Sequence, residues 1–140
     1  MQRDSDLARR GTEISAGARF DRCEYCLLAL SDAGFPHEID HVISRKHGGT
    51  SDPENLALAC YLCNRYKGSD IASLHPATGE LVRLYNPRKD RWEGHFRIIG
   101  PVVEPLTGIG ATTAQLLRLN VTDRVVERQI LQSLNRYPKV

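Results

Sequence analysis

All four cysteines of this 140-residue chain fall into two Cys-x-x-Cys pairs, Cys23/Cys26 and Cys60/Cys63. Two such pairs can present four sulfur ligands to one zinc ion at tetrahedral geometry. One pair alone is also compatible with a redox motif or with two buried thiols, but two pairs that use every cysteine favour zinc. We therefore predict one structural Zn²⁺. Because reduced thiols persist in a reducing compartment, we also expect a cytoplasmic protein.

Length and charge set broad limits on the kind of protein. A chain of this size forms one domain, or one domain with an appended piece, and buries only about two-thirds of its unfolded surface. A bound metal would therefore contribute substantially to folding. The apolar stretches are far too short to span a bilayer, so we expect no membrane association. The net charge of +2 is weak evidence for any partner.

The segment between and after the cysteine pairs predicts two strands and a helix. The run 37–43 alternates apolar and polar residues and predicts a strand. A polar loop over residues 44–53 leads to a second predicted strand, 55–59, which ends at the second cysteine pair. Residues 64–74 then predict a helix, weakened by one internal glycine.

The rest of the chain changes character after this segment. Residues 80–85 and 92–99 are strand-like, and the turn-forming residues between them predict a hairpin. A helical segment follows, and its second helix is predicted to begin at Thr122. The apolar stripe predicted for that helix consists of Val125, Val126, Ile130, Leu131 and Leu134.

The order of the motifs resembles that of a known family. The motifs are the first cysteine pair, Asp40-His41, Gly48-Gly49, Asn55-Leu56, and the second pair continued by Asn64 and Lys67. Together they resemble the zinc-containing HNH (His-Asn-His) endonucleases over residues 22 to about 70. The resemblance implies a ββα-metal fold, in which two strands and a helix surround one divalent ion.

The predicted fold class is therefore α+β. A ββα-metal (HNH) core clamped by a four-cysteine zinc site is followed by a β-hairpin and a C-terminal helical segment. We predict an N-terminal tail or short helix over residues 1–20. The zinc-bound nuclease domain with its hairpin extension covers residues 21–104, and the helical segment covers residues 105–140.

The resemblance also implies a catalytic site with assigned roles. His41 is the expected general base, because a neutral imidazole accepts a proton near physiological pH. Asp40 is a hard oxygen ligand suited to Mg²⁺ or Mn²⁺. Asn64 is the expected second ligand, although many relatives carry histidine at that position. Asn55 is expected to act as a strut, because its amide both donates to and accepts from loop backbone.

Basic residues near these motifs are candidate contacts to nucleic acid. They are Arg45, Lys46, Arg65 and Lys67, and double-stranded DNA is the expected partner. Lys67 is compatible either with phosphate contact or with pairing to a carboxylate. The alternative for the whole set is a solvated surface of mixed charge, because acidic residues are interleaved with the basic ones.

Three functions are compatible with these features. The leading hypothesis is a metal-dependent DNA endonuclease that nicks its substrate, with His41 as the base and the ion held by Asp40 and Asn64. The second is a zinc-stabilised nucleic-acid-binding module with weak or no catalysis, which the asparagine at position 64 favours. The third is an adaptor whose helical segment recruits a larger assembly.

Overall fold

The computed structural model describes residues 21–139, which form three two-stranded antiparallel sheets joined and covered by helices. The predicted tail or helix over residues 1–20 lies outside this range. A mixed α and β composition with small antiparallel sheets is what the sequence predicted. Within residues 21–139, no helix combines the length and the apolar content that crossing a bilayer requires.

The first sheet carries the Asp-His motif. Strand β1 (Glu38–His41) pairs antiparallel with strand β2 (Leu56–Ala59), and Asp40 lies opposite Ala57. All four residues of β2 are buried, which explains its continuous run of Leu and Ala. Helix α1 (Tyr61–Lys67) follows β2 directly and packs against both strands.

Helix α1 is shorter than the sequence predicted. It begins after Cys60, whose Sγ accepts a hydrogen bond from the Cys63 backbone N–H, and it ends at Gly68. Gly68 has a φ of +52°, a conformation that breaks the helix and that glycine adopts readily. The predicted helix over residues 64–74 is therefore wrong in its second half, where Ala72–Leu74 forms strand β3.

The predicted hairpin between residues 80–85 and 92–99 is also wrong, because each segment pairs with another partner. Strand β3 pairs with β4 (Leu81–Arg83) around the Pro76–Gly79 turn. Helix α2 (Trp92–His95) leads into β5 (Phe96–Ile99), which pairs with β6 (Val102–Pro105). Two local turns thus replace the single longer connection, and both contain a glycine at positive φ.

Two helices complete the described chain, α3 (Gly108–Leu116) and α4 (Thr122–Ser133). The predicted start of α4 at Thr122 is confirmed. Its predicted apolar stripe is wrong, because Leu131 is the one member of that stripe that is buried. The other buried positions of α4 are Arg124 and Arg128, whose guanidinium groups satisfy acceptors in the interior.

The core joins the cysteine cluster to the later elements. Tyr85 makes edge-to-face contacts with Tyr25 and Phe96, at centroid distances of 6.2 Å and 5.4 Å. Trp92 packs on Phe96 and donates its indole N–H to the Tyr25 carbonyl at 2.9 Å. Residues 85–96 and the first cysteine pair therefore share one set of aromatic contacts.

Candidate active site and metal centre

The four cysteines form one buried cluster. Their Sγ atoms all lie within 4.8 Å of one another. The Sγ atoms of Cys26 and Cys60 are 3.7 Å apart, far longer than a disulfide and close to the ligand separation in a tetrahedral zinc–sulfur site. The donor set therefore fits a zinc ion held by four thiolates.

Backbone groups around the cluster point at its sulfurs. The N–H groups of Tyr25 and Cys26 donate to Cys23 Sγ at 3.4 Å, and the Cys63 N–H donates to Cys60 Sγ at the same distance. These bonds follow from the tight turn within each Cys-x-x-Cys unit. Donors aimed at sulfur stabilise the thiolate form, which is the form that binds metal.

Asp40 lies at the inner edge of the candidate active site. Its carboxylate is only 3% exposed, accepts a hydrogen bond from Tyr25 Oη at 2.6 Å, and pairs with Lys67 Nζ at 3.2 Å. Lys67 Nζ also donates to the His41 carbonyl at 3.1 Å. Burial raises the pKa of the Asp40 carboxyl, while the Lys67 ammonium and the Tyr25 hydroxyl oppose that rise.

His41 is half-buried at the end of β1, and its imidazole contacts a hydroxyl group. Its Nε2 lies 3.0 Å from Ser51 Oγ, and the same hydroxyl oxygen accepts a hydrogen bond from Arg45 at 2.7 Å. Partial burial and the positive charge of Arg45 lower the pKa of the imidazole, although the Asp40 carboxylate acts in the opposite direction. The lowered pKa favours the neutral form of the ring.

Asn64 lies on α1, beside the strand that carries Asp40 and His41. Its Nδ2 donates to Glu38 Oε2 at 2.5 Å. Because an ionised carboxylate only accepts hydrogen bonds, this contact fixes which end of the amide faces Glu38. The carbonyl end, Oδ1, has no hydrogen-bond partner among residues 21–139 and remains available to a ligand.

One open cleft of about 350 Å³ brings the predicted catalytic residues together. Its lining includes Asp40, His41, Asn64, Ser44 and Arg45. Ser44 Oγ is buried and has no hydrogen-bond partner within the described chain. An unsatisfied hydroxyl at the wall of a polar cleft suits a bound water or an ion with its hydration shell.

Asn55 connects the two ends of the loop that follows β1. Its Oδ1 accepts from the Ile43 N–H at 2.9 Å, and its Nδ2 donates to the Ile43 and Thr50 carbonyls at 2.8 Å and 2.7 Å. Gly49 packs so closely on this arrangement that an added Cβ would lie 1.6 Å from the Ile43 oxygen. The amide thus holds the loop that contains Ser51, the partner of His41.

The four candidate nucleic-acid contacts differ in their surroundings. Arg45, Lys46 and Arg65 are exposed, and Arg65 also donates to Tyr61 Oη at 2.9 Å. Lys67 is only 1% exposed and is paired with Asp40, so carboxylate pairing is the alternative that the geometry favours for it. The basic surface near the cleft therefore consists of Arg45, Lys46 and Arg65.

Several residues at these sites were missed by sequence reasoning. Tyr25, Glu38 and Ser51 contact Asp40, Asn64 and His41, respectively. Glu38 carries a usable signal, because it is two positions before Asp40 and therefore lies on the same face of the strand. The other two reach the site through tertiary packing, which leaves no local pattern.

Comparison with known protein families gives one match, to part of the chain. Residues 23–70 match the family model described as HNH endonuclease. The match begins at Cys23, includes both cysteine pairs and the candidate catalytic residues, and ends three residues after Lys67. No curated protein and no solved structure matches the chain.

Proposed function

Because residues 23–70 carry an HNH endonuclease domain, we propose that this protein is a metal-dependent endonuclease that nicks double-stranded DNA by hydrolysing a phosphodiester bond. The family implies nuclease activity, and the observation that carries the finer proposal is the shared cleft of Asp40, His41 and Asn64. This cleft combines a candidate general base with two side chains whose oxygen atoms can bind a metal ion. These are the groups that hydrolysis of a phosphodiester requires.

His41 is the proposed general base. A hydroxyl oxygen can accept two hydrogen bonds, so Ser51 Oγ can accept from Arg45 and also from His41 Nε2–H. In that tautomer Nδ1 keeps its lone pair and can take a proton from water. The lowered pKa supports this role, because the ring stays unprotonated at neutral pH.

Asp40 and Asn64 are the proposed ligands of a catalytic Mg²⁺ or Mn²⁺. When bound, such an ion supplies Lewis-acid stabilisation of the charge that develops on the phosphate. The free Asn64 Oδ1 and the unsatisfied Ser44 hydroxyl support a cation with its water shell in this cleft. Asn55 is the proposed strut, since it fixes the loop that carries Ser51.

Arg45, Lys46 and Arg65 are proposed to contact the phosphate backbone. They are exposed on the segments that border the cleft, and backbone contacts position a nucleic acid without reading its sequence. Binding that relies on such contacts weakens steeply as salt rises. The four-cysteine cluster is the proposed structural zinc site, and its need for reduced thiols favours the cytoplasm.

One observation favours a second candidate, a zinc-stabilised nucleic-acid-binding module with weak catalysis. Lys67 already balances the charge of Asp40, and both carboxylate oxygens have hydrogen-bond donors. An ion at Asp40 would therefore compete with a buried ammonium group. In this candidate the cleft binds phosphate, and neither His41 nor Asn64 affects a reaction.

The deciding experiment incubates supercoiled plasmid with the full-length protein and Mg²⁺ or Mn²⁺, with a chelator control. We expect relaxed circles that require the added ion and that disappear in the His41→Ala variant. Plasmid binding without cleavage under every metal tested would overturn the nuclease proposal and leave the binding module. Metal analysis of the same preparation should give one zinc per chain.

A further inference from the structure

Helix α4 places a buried cation against the cysteine cluster. Arg124 is 5% exposed, and its Nη2 lies 3.2 Å from Cys63 Sγ and 3.8 Å from Cys60 Sγ. Its Nη1 donates to the Leu117 carbonyl at 2.8 Å, which fixes the guanidinium plane. Arg124 lies outside residues 23–70, the part of the chain that matches the family model.

The end of the chain also contacts the first cysteine pair. Tyr137 Oη donates to the Cys26 carbonyl at 2.6 Å, and this contact is buried. The Lys139 N–H donates to the Leu27 carbonyl at 3.3 Å. Contacts from residues 122–139 therefore reach both Cys-x-x-Cys units, although these units are well separated in the sequence.

Electrostatics explains why a cation is needed at this place. Four thiolates around one Zn²⁺ carry a net charge of −2, and burying net charge is costly unless it is paired. The backbone N–H groups that reach the sulfurs are neutral. Among residues 21–139, Arg124 is the one cationic side chain with a nitrogen within hydrogen-bond distance of a cluster sulfur.

We propose that Arg124, Tyr137 and Lys139 form a C-terminal clasp that is part of the metal centre, with Arg124 as the charge partner of the zinc thiolates. This inference rests on the zinc site of the proposed function. The clasp slows zinc release and ties the position of α4 to the metal. The C-terminal helical segment is thus a component of the metal site.

Arg128 provides a matched control on the same helix. It is 3% exposed and donates to the carbonyls of Pro101 and Leu119 at 2.6 Å and 2.7 Å. It also donates to Asn120 Oδ1 at 3.0 Å. Its guanidinium also lies 5.9 Å from the ring centroid of Tyr137. Arg128→Met therefore removes a buried arginine with comparable hydrogen bonds and one ring contact to the clasp, but leaves the arginine–sulfur contacts and the Tyr137 hydrogen bond to Cys26 intact.

The test compares full-length wild type, Arg124→Met and Arg128→Met, each loaded with zinc or with Co²⁺. Zinc transfer to a chromogenic chelator should be about 10-fold to 100-fold faster in Arg124→Met, the factor by which loss of an outer hydrogen bond typically lowers metal affinity. In the cobalt form, the sulfur-to-metal charge-transfer band should move to lower energy, because the hydrogen bond no longer stabilises the sulfur lone pair. Arg128→Met should keep the wild-type band.

Several outcomes distinguish this inference from the proposal on which it rests. If both variants release zinc at the wild-type rate and keep the wild-type charge-transfer band, the clasp is overturned while the zinc site stands. Wild type that binds neither zinc nor Co²⁺ would overturn the zinc site and the clasp together. If Arg124→Met does not fold, Arg124→Gln serves instead. It keeps a hydrogen-bond donor but removes the positive charge, so we expect zinc release at least about 10-fold faster than in wild type, and release at the wild-type rate would overturn the clasp.

Discussion

The ammonium group of Lys67 lies 3.2 Å from the carboxylate of Asp40, and these side chains are 1% and 3% exposed. The pair joins the last residue of helix α1 to strand β1. Tyr25, which lies within the first Cys-x-x-Cys unit, donates a hydrogen bond to the same carboxylate. The candidate active site is therefore built on the same buried charges that hold the sheet to the helix.

Removing Lys67 should strongly destabilise the fold. Lys67→Met leaves Asp40 buried without its cation, which typically costs about 3–5 kcal/mol. The double variant Asp40→Asn/Lys67→Met should lose less than the sum of the single variants, because no unpaired charge remains. Denaturant unfolding of the zinc-loaded proteins measures both effects. A Lys67→Met variant as stable as wild type would contradict the buried pair.

Loss of His41 should selectively remove cleavage. His41→Ala should reduce plasmid nicking by about 10²–10⁴-fold, the usual contribution of a general base. Zinc content, unfolding midpoint and DNA affinity should stay close to wild type, because the side chain is half-buried and bonded to a hydroxyl. His47→Ala, an exposed histidine in the following loop, is the control. An equal loss of nicking in both variants would contradict the assignment of His41 as the general base.

The pH profile should depend on Arg45. Partial burial and the Arg45 charge lower the pKa of His41, so nicking should fall only as pH drops below about 6.5, where an unperturbed imidazole protonates. Arg45→Met removes a positive charge that opposes protonation, and the acid limb should therefore move to higher pH. Lys46→Met should leave the limb in place. If the acid limb of the pH profile is identical in all three proteins, Arg45 does not determine the pKa of His41.

The sequence predicted the elements that its local patterns encode. The cysteine spacing predicted the cluster, the alternating run predicted β1, and the residues around Thr122 predicted the start of α4. It failed where pairing depends on tertiary context, as in β3. Residues 72–74 continue a helix-like pattern, but Gly68 ends the helix and β4 then supplies a strand partner.

The buried face of α4 was missed for a different physical reason. Hydrophobic patterning assigns arginine to the surface, whereas Arg124 and Arg128 are buried. Their guanidinium groups donate hydrogen bonds to acceptors that lie far away in the sequence. Sulfurs and carbonyls in the interior make these positions favourable for a guanidinium group. The local sequence around Lys67 does not distinguish phosphate contact from carboxylate pairing for the same reason, since its partner Asp40 lies 27 positions earlier.

Substitutions at Asn64 should change the metal dependence of cleavage. Glu38 holds the amide nitrogen and leaves Oδ1 free, so Asn64→Ala should raise the Mg²⁺ concentration needed for half-maximal nicking. Asn64→His should keep or raise cleavage and shift the preference toward Mn²⁺ and other transition metals, which imidazole suits better. Metal titrations of plasmid nicking test both. An unchanged titration curve in Asn64→Ala would show that this residue is no ligand.

The Gly48-Gly49 loop should tolerate no side chain at its second position. A Cβ on Gly49 would lie 1.6 Å from the Ile43 oxygen and 2.9 Å from Asn55 Nδ2, so the loop must move away from both groups. Gly49→Ala should therefore break the Asn55 hydrogen bonds, cost about 1–3 kcal/mol of stability as overpacking does, and displace Ser51 from His41.

Nicking by Gly49→Ala should fall while its zinc content is kept, because the cysteine cluster is separate from this loop. Gly34→Ala is the control, since an added Cβ there meets nothing within 4 Å. Full activity and stability in Gly49→Ala would contradict the role of Asn55 as the strut that positions His41.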